Sequence, residues 1–219
     1  MHPTNWLRGL GISIAAMLIL YAGVSLYGDL TLQRVRASDV FASPLGPANA
    51  NASGSFARLV SFDGDLLASD AARMTAQVIH HPASDASGRA AENKSAQNAV
   101  TAALKISPIR PALWLALGTL KAEMREPAAA SLKMSYLTGA VPVDVAFSRL
   151  QTVTSTSAAS DEDIRLLAQS DIRSALASRA RFEAPLVAVY VQASPEGKSL
   201  LRDTTQIIDP KFNALLKKY

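Results

Sequence analysis

Read from the amino end, apolar positions come first as an unbroken block and only later at helical spacing. Leu10 to Tyr27, LGISIAAMLILYAGVSLY, runs for 18 residues without a charge. At about 1.5 Å per residue such a run approaches the roughly 30 Å of a hydrocarbon layer, where a helix satisfies its own backbone. Leu10, Ile14, Met17, Leu20, Val24 and Tyr27 mark it as an expected membrane anchor, with Trp6 and Tyr27 near the interfaces. A cleaved signal peptide, with Gly23-Val-Ser25 as its small-x-small site, is the alternative. The apolar run continues past that site, which favours an uncleaved anchor. Arg8 before the span and Arg34 and Arg36 after it nearly balance, so charge alone does not orient it.

Beyond the block the pattern turns amphipathic. Leu32, Val35 and Asp39 extend helical spacing toward Phe41. The stretch from Ser43 to Ser55, SPLGPANANASGS, lacks large apolar residues and reads as a tether. From Phe56 on, the spacing predicts helices over 65–81, 88–106, 111–124 and 127–138, with Gly139 as an end signal. Pro142 opens a further helix that fades in the Thr/Ser run 152–160. Ser160, followed by Asp161, Glu162 and Asp163, offers a cap and three carboxylates to the next helix, expected to reach about Arg181. The valines after Pro185 suggest a strand, but one strand alone has nothing to pair with, so a short helix starting at Pro185 is expected. Helices over 195–208 and 210–218 complete the count.

The hairpin at 111–138 has a further pattern in it. Trp114, Leu117 and Gly118 lie on its first helix, Ala130 and Met134 on its second, and Pro142 closes it. This order resembles a tetratricopeptide repeat, a unit of about 34 residues with the pattern W-x2-L-G-x2-Y, A-x3-F, P. Lys121 departs from it, standing at the Tyr position, and Met134 replaces Phe. Shifted back by one unit, the template meets Ala96, Val100, Ala103 and Pro108. Shifted forward, it meets Ser148, Gln151 and Thr152, which do not fit. The resemblance implies an all-α fold of stacked helix hairpins, with Trp114, Leu117, Gly118, Ala130, Met134 and Pro142 as a repeat core, and a use in docking other proteins.

Composition narrows the chemistry. Hydrophobic residues make up 49%, much of it alanine, and aromatics 6%, which suits helices with a thin core. The net charge of +4 is dispersed, with no run of like charges to mark a nucleic-acid surface. The absence of cysteine excludes disulfides, thiolate metal sites and cysteine catalysis. His80 and His81 are adjacent and diverge on a helix, Asp63-Gly-Asp65 lacks the rest of a calcium loop, and Asp161 to Asp163 suit helix capping. Arg165, Arg173, Arg179 and Arg181, expected on one helix with Asp171, read as a solvated mixed-charge face. No cofactor, metal or nucleic acid is expected.

The expected organisation is a tail over 1–9, a transmembrane anchor over 10–27, a juxtamembrane helix and tether over 28–55 and a helical domain over 56–219. The function that follows is an anchored, non-catalytic scaffold that docks a protein partner, another membrane or envelope component. Its expected place is a bacterial inner membrane, with the domain in the periplasm, in secretion, polysaccharide export or cell-wall assembly. An enzyme of unknown type and a cleaved periplasmic binding protein are the alternatives.

Overall fold

Every element among the described residues is helical; these are residues 3–31, 35–42 and 64–219 of the computed structural model, and within the first helix the side chains of 9–23. The chain divides into two compact units, one containing the first helix and the other containing 35–42 and 64–219.

Helix α1 spans Pro3–Thr31. Its side chains over 9–23 are exposed, Met17, Ile19 and Leu20 among the most open. The expected transmembrane anchor is not upheld: among the described residues, no helix is long and apolar enough to cross a membrane. Of the expected anchor positions, Leu10, Ile14, Met17 and Leu20 lie within 9–23; the side chains of Val24 and Tyr27 are outside it.

The second unit begins with a turn and the short helix α2, Asp39–Ala42. The expected prolongation of the first helix to Phe41 therefore does not occur: α1 ends at Thr31, and α2 is a separate turn of helix. The tether expected over 43–55 lies outside the described residues.

Three helix pairs follow, each joined by a short corner. α3 (Gly64–His80) packs most extensively on α4 (Ala86–Ile106), α5 (Pro111–Glu123) on α6 (Ala129–Leu137), and α7 (Val143–Thr154) on α8 (Glu162–Ala177). The corners follow from local chemistry. Asp85 caps α4 by accepting the Gly88 N–H at 2.7 Å. Pro111 sits in the first turn of α5, where its missing N–H costs nothing. Arg125 turns the α5–α6 corner at φ 57° and Gly139 the next at φ 147°, a region open to glycine. A 3-10 turn, Ser157–Ser160, joins α7 to α8. Asp161, not Ser160, caps α8, accepting the Ile164 N–H at 3.1 Å.

α8 stops at Ala177 rather than near Arg181, and α9 runs Arg179–Gln192 with Pro185 inside it. The expected helix start at Pro185 is therefore six residues late. α10 (Pro195–Ile208) and α11 (Pro210–Leu216) close the unit, capped by Ser194 and Asp209.

Small residues set the spacing of the first pair. Ala68, Ala71 and Ala72 of α3 and Ala96, Val100 and Ala103 of α4 are buried and let the two helices approach. The core is otherwise divided along α5. Leu113, Ala116, Leu117 and Leu120 join the α3–α4 cluster, while Leu115 joins the larger cluster with Leu132, Leu150, Ile164, Ile172 and Phe212. A helix buried on both flanks must be apolar nearly all round, and α5 is.

Candidate functional site

The first helices of the three pairs lie side by side: α5 packs on α3, and α7 packs on α5. Their outward positions line one open groove of about 600 Å³. α3 contributes Ile79 and His80, α5 contributes Thr119, Ala122 and Glu123, and α7 contributes Ser148, Gln151 and Thr152. Ser155 and Thr156 extend the wall beyond α7, and Val40 and Phe41 of α2 complete the lining.

The lining is hydroxyl-rich, with Val40, Phe41, Ile79 and Ala122 as its apolar part. The Thr119 and Thr152 hydroxyls stand 3.3 Å apart, bridging α5 and α7. Thr152 also bonds back to the Ser148 carbonyl at 3.0 Å. Partial burial raises the Glu123 carboxyl above its ordinary range, and the 3.2 Å hydrogen bond from Asn93 Nδ2 pulls the other way. His80 Nε2 lies 3.0 Å from the Val40 carbonyl. These are groups for holding a chain by hydrogen bonds and apolar contact. Among the described residues no cluster of three or more His, Asp or Glu is placed to hold a metal ion.

The residues of the expected repeat core are dispersed over the central hairpin. Trp114 is half-buried on the α3–α4 cluster and donates from Nε1 to the Pro108 carbonyl at 2.8 Å. Leu117 is buried. Gly118 does permit a close approach, since a Cβ there would lie 2.7 Å from Leu132 Cδ2. The residue facing Gly118 is thus Leu132, whereas Ala130 is exposed. Met134 is half-buried, and the exposed Pro142 precedes α7 as its cap residue.

The arginine face expected on one helix is split between two. Arg165 pairs with Asp203 at 3.0 Å, Arg179 with Asp209 at 2.9 Å and with Glu183, and Arg181 with Asp144 at 2.6 Å. Asp171 belongs elsewhere. It receives both Arg149 Nε and Nη2 at 2.9 Å, in a pair whose side chains are each 5% exposed. Arg149 also donates to the Ser135 carbonyl at 2.9 Å and lies 3.7 Å over the Tyr136 ring. The Tyr136 hydroxyl is buried without a hydrogen-bond partner among the described residues. Burial, with the Asp171 charge beside it, pushes the phenol's ionisation upward. This cluster ties α6, α7 and α8 together and is away from the groove.

No family model matches the chain, and neither the curated proteins nor the solved structures give a significant match. The groove therefore has to be read from its own residues. Sequence reasoning missed it because its α7 wall, Ser148, Gln151 and Thr152, is where the repeat template fails. Those positions are polar because they line the groove, Thr152 also meeting the Thr119 hydroxyl of α5.

Proposed function

We propose that this chain is a helical docking protein whose groove on α3, α5 and α7 receives a short peptide segment of a protein partner. One observation carries the reading: the leading helices of three successive pairs present their outward faces to a single groove. Stacked helix pairs commonly use such a surface for peptides, because each pair adds a strip of side chains to one face. The lining supports this use, offering hydroxyls and an amide for a peptide backbone and Ile79 and Ala122 for an apolar side chain.

The test is selection of displayed peptides on the full chain, followed by titration of the selected peptides in solution. Gln151→Arg with Ser155→Arg, both exposed on the groove wall, is expected to weaken binding at least tenfold. Gln192→Arg, outside the lining, is expected to leave it unchanged. Equal binding by all three proteins, or no selected peptide, refutes the reading.

A further inference from the structure

Residues 35–42 sit on the groove face as a bound peptide would. α2 has four residues, too few to hold a helix in water, so the surface beneath imposes its shape. Val40 is 1% exposed and clusters with Ala72 and Ala76 of α3, while Phe41 packs against all three hydrophobic clusters of the unit. The polar attachments are of the kind that hold a peptide backbone. Ser69 Oγ accepts the Val35 N–H at 2.9 Å, and His80 Nε2 meets the Val40 carbonyl. The turn is completed by its own residues, with Asp39 accepting the Arg36 N–H and the Ser38 hydroxyl, each at 3.3 Å. Nothing in this set of contacts depends on the segment's covalent continuity with α3.

We infer that residues 35–42 are a resident stand-in for the partner's docking segment. That segment carries a turn capped by Asp, followed by an aliphatic–aromatic pair, and it docks by displacing α2. The inference rests on the docking reading above and names the chemistry of what docks. The open part of the groove beside Phe41 gives the incoming segment a first foothold on Gln151 and Ser155 before α2 leaves. Displacement then exchanges one Val-Phe pair for another, so the cluster beneath is never left uncovered.

The probe is a labelled, end-blocked peptide of residues 35–42, VRASDVFA, titrated by fluorescence anisotropy against the full chain. The full-length double variant Val40→Asp with Phe41→Asp is expected to bind it at least tenfold more tightly than the natural chain. A probe with the same two substitutions is expected to bind neither protein. Equal affinity of the two proteins for the natural probe, or binding by neither, overturns the inference.

Hydrogen exchange on the unaltered chain decides the matter independently, including if the variant does not fold. The Phe41 amide, bonded to the Ser38 carbonyl at 3.2 Å, is expected to exchange at least tenfold faster than that of Leu117, and faster again with excess probe. Exchange of Phe41 at the Leu117 rate, unmoved by probe, overturns the inference. If selected peptides still bind in a Gln151- and Ser155-dependent way while these results fail, the groove is a docking site and α2 is a fixed part of it. If no peptide binds at all, the docking reading itself has failed.

Discussion

Two glycines illustrate how much a single hydrogen atom in place of a methyl can decide. A Cβ on Gly197 would lie 2.0 Å from the Thr154 carbonyl oxygen, a backbone atom fixed in turn by the Ser194 N–H at 2.9 Å. Gly197→Ala is therefore expected to destabilise by about 3 kcal/mol or more, at the top of the range for overpacking. At Gly118 the clash is with side-chain atoms of the buried Leu132, Cδ2 and Cγ, rather than with backbone, and alanine regains about 1 kcal/mol of helix propensity. Gly118→Ala should cost no more than about 2 kcal/mol; urea unfolding of both variants checks the order.

The buried cluster makes a paired prediction. Arg149→Met leaves Asp171 buried and unpaired, which typically costs about 3–5 kcal/mol. Tyr136→Phe removes a buried hydroxyl that lies beside the Asp171 carboxylate without a hydrogen bond of good geometry, so stability should change by no more than about 1 kcal/mol. Neither residue announces itself in the sequence. Arg149 stands in an amphipathic stretch like any surface arginine, and only the α6–α8 crossing reveals that it faces inward. Glu123 gives the pH test. Its folded carboxyl titrates above the ordinary Glu range because burial disfavours the charge, so ionisation above that range weighs against folding. Glu123→Gln keeps an oxygen for Asn93 and should be more stable than the natural chain at pH 7, with the difference vanishing near about pH 3.

At the scale of elements, prolines and caps carried most of what was legible. Pro111, Pro195 and Pro210 each begin a helix where the sequence places one, because proline's fixed φ suits a first turn. Pro185 misled for the same reason: it lies inside α9, two turns after a start at Arg179 that carries no side-chain cap. There it forfeits a bond to the Arg181 carbonyl, so Pro185→Ala should stabilise the fold by about 1–3 kcal/mol, read from the thermal midpoint. The place of α2 was hidden too. Leu32, Val35 and Asp39 prolong the spacing of the helix before them, and nothing local says that Val40 and Phe41 belong to a separate turn packed on α3 and α7. The groove was invisible for a related reason, since periodicity tells inside from outside but not which outsides meet.

For the molecule as a whole, charge contributes little and apolar layering much. The pairs Arg110–Asp65, Lys133–Asp163 and Arg165–Asp203 each have a largely exposed acid, and exposed pairs of this kind yield about 0–1 kcal/mol. Raising salt from about 0.05 to 0.5 M, which cuts the screening length severalfold, should move the thermal midpoint by no more than about 2 °C. A larger drop would mean that the surface pairs act as a network.

The two-sided burial of α5 has a consequence during synthesis. Its leucines point in opposite directions, so α3 and α4, already made, hide only one flank as it leaves the ribosome. The other flank, Leu115, waits for Leu132 of α6 and Leu150 of α7, roughly 17 and 35 residues further on, or about one to seven seconds at about 5–20 residues per second. For that interval Leu115 and its alanine neighbours stay bare, so α5 settles fully only once its own hairpin partner has been made.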